Sequence, residues 1–299
     1  MTAAVTDRYP TRNACGKGTL GIIPRPDPVV WAPDRAAGPL NRHAVERFEA
    51  DGFLAVDELL DPDVVADLCA EPEALLSTPA LVDDERSVLE PDSREIRSIF
   101  EVHAISPTFA ALVADPRLVG PARQLLGSDV YVHQSRINFK PGFSGQAFYW
   151  HSDFETWHAE DGMPAPRAVS VSIALTENHD CSGSLMIIPG SHRWFVPGTG
   201  ETPPDHYRSS LRRQEVGTPD RDSLTRLAAE RGIRQFTGPV GSAVFFDSNA
   251  MHGSNSNITP YPRSNLFIVY NSVENTLVEP FAAPAPRPSF IASRGFDPI

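Results

Sequence analysis

Six short apolar segments after Gly127 constrain this chain more than any other feature. DVYVHQSRINF, QAFYWHSD, AVSVSIALT, SLMIIPG, SAVFFDS and NLFIVYNSV are of strand length, rich in β-branched and aromatic residues, and separated by Gly, Pro and Asn turn signals. Many short strands of this kind pair as an antiparallel barrel or sandwich. Ahead of them the pattern is helical. NRHAVERFEADGF places Ala44, Val45, Phe48 and Phe53 near helical spacing, with Asn41 as N-cap and Gly52 as stop. Asp61-Pro62 opens a second helix with proline in the first turn, and PTFAALVAD and PRLVGPARQLLG predict two more. The expected architecture is mainly β with a helical cover.

One domain accommodates all of this: an extended, Pro- and Gly-rich arm over 1–39, a helical layer over 40–127, a barrel core over 128–278 and a Pro-rich tail over 279–299. Residues 197–220 are too long and polar for a plain hairpin and read as a lid or decoration, followed by a short helix in DSLTRLAAERG. In the first strand, Val130, Val132, Gln134, Arg136 and Asn138 alternate with Tyr131, His133, Ser135, Ile137 and Phe139, so one set should line an interior and the other pack outward.

A net charge of −12 argues against nucleic acid or an anionic membrane surface as partner, because both demand clustered positive charge. Cys15, Cys69 and Cys181 are odd in number and widely spaced, which fits a reducing compartment. With no apolar signal core near the N-terminus and no run of membrane-spanning length, a cytoplasmic protein is expected.

The chemistry-bearing motif is His151-Ser152-Asp153, preceded by Phe148-Tyr149-Trp150. On an extended strand, residues two apart point to one side, so the imidazole and the carboxylate would face one interior point. Two ligands do not make a usable metal site, and His252 in SAVFFDSNAMHGS is the best third. His151, Asp153 and His252 form the two-histidine, one-carboxylate set suited to non-haem Fe(II) with open positions. A jelly-roll barrel joins such distant strand ends around one pocket. Zinc is the competing metal for this donor set.

Arg263 follows His252 by eleven positions. A 2-oxoglutarate co-substrate chelating iron leaves its distal carboxylate to be anchored, and the planar guanidinium fork matches it. That gives the arginine a task which zinc hydrolysis does not. Ser254 and Ser172, with Gln134 or Asn138 opposite, could add hydrogen bonds.

HSD…H…R in this order resembles the phytanoyl-CoA-dioxygenase-like branch of the 2-oxoglutarate/Fe(II) oxygenases. FYWHSDFETWHAEDGMP, RAVSVSIALTEN, LMIIPGSH and FFDSNAMHGSNSNITPYPRSN are similar, more narrowly, to the ectoine hydroxylases. The resemblance implies a double-stranded β-helix, that is, a cupin-like jelly roll. It also implies a homodimer, and use of Fe(II), 2-oxoglutarate and O2 to convert ectoine to 5-hydroxyectoine, a compatible solute made under osmotic stress. It places iron on His151, Asp153 and His252. The co-substrate then falls to Gln134, Asn138, Phe148, Ser172, Ser254 and Arg263. Ectoine is a cyclic amidinium with a carboxylate. Trp157 and Phe246 could offer aromatic faces to its cation, with Gln134 nearby, and Arg287, less readily Arg136, could meet its acid. His158 is expected to hydrogen-bond rather than ligate. Other readings are the same chemistry on another small zwitterion such as proline, and a metal-dependent binding barrel without turnover.

Overall fold

The computed structural model describes residues 7–12, 21–31 and 38–299. The alternating segments resolve into two antiparallel sheets that face each other as a jelly roll. The larger has seven strands, in the order Phe53–Val56, Ala243–Asp247, Ala168–Ala174, Arg263–Ser272, Val130–Lys140, Ile96–Phe100 and Ser87–Leu89. The smaller has four, in the order Arg234–Phe236, Leu185–Ile187, His252–Ser254 and Phe148–His151.

One face of the large sheet is apolar. Ile137, Val171, Ile173, Phe245, Leu266 and Ile268 bury against Val45, Phe48, Leu68, Phe109, Leu118 and Leu125 of the helices Arg42–Asp51, Pro62–Leu76, Pro107–Val113 and Pro116–Leu126. Each helix begins as its sequence indicates. Asn41 accepts from the Ala44 amide, Ser106 from Phe109 and Asp115 from Arg117. Gly52 stops the first helix in the left-handed region, at φ 83°. The other face of the large sheet, toward the small sheet, is polar at one end. At the other end Phe53, Leu185, Ile187, Phe236, Val244, Phe246 and Phe267 fill it.

Three expectations are corrected. The stretch before Gly127 is not only helical, since Phe53–Val56, Ser87–Leu89 and Ile96–Phe100 are strands of the large sheet. The alternation along Val130–Lys140 breaks. Val269 pairs with Gln134 but Tyr270 with Val132, so His133 is an extra, bulged residue. The bulge inverts the phase. Val130 and Val132 join Ile137 and Phe139 in the helix-covered core, while Gln134, Arg136 and Asn138 line the interior. Finally, His151 and Asp153 do not share a strand. The strand ends at His151, and Asp153 opens the helical turn Asp153–Thr156, with Ser152 as its N-cap accepting from Glu155.

That turn runs into a π-helical one, Trp157–Asp161, closed by Gly162 at φ 80°. A side chain at Gly162 would collide with the Val278 carbonyl, so glycine is what brings the tail against this turn. In the described part of the expected N-terminal arm, Tyr9 is fully buried and Ile23–Pro24 pairs with Trp194–Phe195. The remainder of that arm, with Cys15, lies outside the described residues. No helix among the described residues is long and apolar enough to cross a membrane.

Candidate active site

His151 and His252 are direct partners on neighbouring strands of the small sheet. Their ring centroids lie 4.2 Å apart. His151 Nδ1 is 2.6 Å from the Tyr149 carbonyl and His252 Nδ1 is 3.0 Å from that of Ala250. Each ring therefore donates Nδ1–H to its own backbone and turns the Nε2 lone pair inward. The inward Nε2 atoms sit 3.6 and 3.8 Å from Asp153 Oδ1 and Oδ2. These gaps are too long for good hydrogen bonds but span the space in which one ion contacts all three groups. The three donor atoms lie within 4.8 Å of one another. Burial alone would raise the Asp153 pKa, but His252, His151 and Arg136 outweigh it and hold the carboxyl below its usual range. Burial and the neighbouring His151 push His252 down to about 4, so its imidazole is neutral and ready to ligate.

Two cavities meet at this triad, and Arg136, Phe148 and His151 line both. The inner one adds Asn138, His252, Ser254, Arg263 and Phe267. Arg263 is buried, and its only described side-chain partner is Asn265, whose Oδ1 accepts from Nη1 at 3.1 Å; Nε has no partner. A buried guanidinium without a carboxylate is costly unless an anion arrives to meet it. Burial lowers its pKa only to about 10, so the charge is retained. Ser172 does not line this cavity. It accepts from Asn265 Nδ2 at 3.1 Å and so stands behind Arg263 through that amide. Asn265 was missed in the sequence, although strand alternation from Arg263 points to it.

The outer cavity adds Gln134, Asp153, Trp157, Glu160 and Arg287. Arg287, far along the Pro-rich tail, is brought in by the tail folding back over the π-helical turn. Asp161 grips it through Nε at 2.8 Å and Nη2 at 2.5 Å. Gln134 donates Nε2–H to the Ile291 carbonyl at 2.6 Å, which leaves Oε1 as an acceptor. Phe246 lines neither cavity. It is fully buried with its ring 5.0 Å from that of His252 and backs the ligand rather than facing the space. His158 hydrogen-bonds the Met163 carbonyl and Asp7 while stacking on Phe281. Glu155 and Glu160 hold Arg12 in a buried ion-pair network that His206 joins through Glu160.

A jelly roll carrying an inward His-x-Asp and a distant His beside a buried, unmatched arginine defines a non-haem iron, 2-oxoglutarate-type site. The sequence matches the family described as phytanoyl-CoA dioxygenase over residues 48–265. It is 59% identical to the ectoine dioxygenase of Streptomyces coelicolor over all of this chain and 98% of that protein. With the ectoine dioxygenase of Bordetella bronchiseptica identity is 53%, over 98% of this chain and 94% of that one. The crystal structure of EctD from S. alaskensis with 2-oxoglutarate and 5-hydroxyectoine superposes with a TM-score of 0.87 at 46% identity, covering 98% of this chain and 96% of that one. The form of that protein with bound Fe gives 0.85, at 46% identity over 97% and 95%. This chain belongs to the phytanoyl-CoA dioxygenase family, and within it its likeness is to the ectoine dioxygenases.

Proposed function

We propose that this chain hydroxylates ectoine to 5-hydroxyectoine, consuming 2-oxoglutarate and O2 and releasing succinate and CO2. The observation that carries the reading is the pair of cavities meeting at the triad, with Arg263 buried at the inner one and Arg287 at the outer one. His151, Asp153 and His252 would hold Fe(II), whose chemistry when bound is the activation of dioxygen with 2-oxoglutarate. Arg263 meets the distal carboxylate of the co-substrate, with Asn138 and Ser254 beside it. Asn265 fixes the guanidinium and Ser172 fixes Asn265. Phe148 and Arg136 separate this cavity from the outer one.

In the outer cavity each recognition element of ectoine has a counterpart. The Trp157 ring offers its face to the delocalised cation. Gln134 Oε1 accepts from an amidinium N–H, since its amide nitrogen is already committed to the tail. Arg287 keeps Nη1 for the carboxylate because Asp161 engages Nε and Nη2. Asp161 is thereby an orienting group, and no general acid or base is needed among these residues. The same reading takes the protein as a cytoplasmic homodimer serving osmotic stress, and it has no use for nucleic acid or a membrane. Sedimentation of the purified chain tests the dimer, which a monomer at micromolar concentration would end.

The activity test supplies Fe(II), ascorbate, 2-oxoglutarate and a panel of small zwitterions that includes ectoine and proline. Succinate should appear in step with hydroxylated ectoine by mass spectrometry. Turnover of proline in preference to ectoine would overturn the substrate assignment.

A further inference from the structure

Arg97 is a buried cation at the outer cavity that the proposed chemistry leaves without a task. It sits on the strand Ile96–Phe100, near Glu90 in sequence but far from the other groups it touches. Nη1 donates to Glu90 Oε1 at 3.0 Å and to the Gln146 carbonyl at 3.3 Å. Nη2 donates to the Ala147 carbonyl at 2.9 Å and Nε to the Leu211 carbonyl at 3.3 Å. Its guanidinium carbon lies 3.7 Å from the centroid of the Phe148 ring. Glu90 Oε1 accepts in addition from the Gln146 amide at 3.1 Å, so the segment 146–147 is held from both sides.

One planar group thus ties together three segments. They are its own strand, the lead-in at 146–147 to the strand that ends in His151, and the 197–220 insertion, which lines the outer cavity through Ser210, Leu211 and Gln214. Phe148 is the wall both cavities share, three residues from a candidate metal ligand. A fork of donors can satisfy carbonyls on separate segments while stacking on a ring, whereas a lysine ammonium offers one point of charge.

We propose that Arg97 is a positioning residue. It fixes Phe148 between the two cavities and holds Leu211 over the outer one, so that co-substrate is consumed in step with substrate. This deepens the proposed function and rests on it.

Two variants test the assignment. Arg97→Lys keeps a cation opposite Glu90, and Arg97→Met with Glu90→Gln removes both charges together, which avoids a stranded buried carboxylate. In hydrogen exchange read by mass spectrometry on the metal-free protein, amides at 207–214 should exchange about tenfold faster or more in both variants, while those of the large sheet keep their wild-type rates. In turnover with iron, 2-oxoglutarate and ectoine, succinate should outrun hydroxylated product, the ratio rising from about one to about two or more. The KM for ectoine should rise about tenfold, since a displacement of this wall costs orientation. Wild-type exchange at 207–214 in both variants would overturn the proposal whatever the activity. Faster exchange with an unchanged succinate-to-product ratio would also overturn it. A wild-type enzyme that leaves ectoine untouched would count against the substrate instead, and the exchange rates would still decide whether Arg97 holds the insertion.

Discussion

Arg263 carries its meaning in what it lacks. Most buried arginines here have carboxylates: Arg12 has Glu155 and Glu160, Arg25 has Asp247, Arg97 has Glu90 and Arg287 has Asp161. Arg263 has one amide oxygen and an unpartnered Nε. A cation left so inside a barrel costs stability in the free protein and returns it when a dianion binds. Arg263→Ala should therefore raise the KM for 2-oxoglutarate by roughly 10- to 100-fold, the worth of a charge-assisted contact, with little change in the KM for ectoine. Steady-state kinetics with each substrate varied in turn measures both, and a loss confined to ectoine would remove Arg263 from the co-substrate. The sequence offered the triad and this arginine as candidates by residue type and order, and the fold gathers the three donors and lines the adjoining cavity with Arg263. The grip of Asp161 on Arg287 was not legible there, because nothing local in a Pro-rich tail announces that it folds back onto residues 126 positions earlier.

Elements were legible where local rules decide them and opaque where neighbours do. Caps at Asn41, Ser106 and Asp115 begin helices as read, and the apolar segments after Gly127 are strands. The bulge at His133, the π-helical turn at Trp157–Asp161 and the break between His151 and Asp153 are settled by partners distant in sequence. The junction of the first helix with the turn Ser191–Arg193 is another such case, and it has a measurable consequence. A side chain at Gly52 would overlap the ring of His192, whose Nε2 approaches the Glu49 carbonyl at 3.2 Å. Burial pushes this imidazole down to about 4, with Asp247 opposing and Arg25 and Arg193 reinforcing. An unfolded chain takes up the proton near the ordinary value of 6.5, while the native one refuses it until about 4. The contribution of His192 is thus complete above pH 6.5 and drains away as pH falls through that window, by about 1.4 kcal/mol per unit. Urea midpoints of the wild type and His192→Asn should converge between pH 6.5 and 4. A constant difference across that range would show that the imidazole titrates alike in both states.

At the scale of the whole molecule, the parts that hold the fold and the parts that hold the ion are separate. The large sheet and its helical cover close one apolar cluster, and the inter-sheet plug around Phe246 and Phe267 closes another. The two imidazoles stand on adjacent strands of the small sheet and the carboxylate on the turn that follows, with the rings oriented by the Tyr149 and Ala250 carbonyls rather than by the ion. Folding should therefore precede metal, unlike a zinc finger whose ion is its core. Removing metal with a chelator is expected to leave the far-ultraviolet circular dichroism unchanged and to lower Tm. At a free Fe(II) concentration of one hundred times Kd the linkage is about 2.7 kcal/mol, or roughly 4 °C in a chain of this size. Adding 2-oxoglutarate after iron should raise Tm again, and this second step should shrink by half or more in Arg263→Ala while the first survives. Loss of secondary structure on chelation would mean instead that the three ligands come together only around the ion.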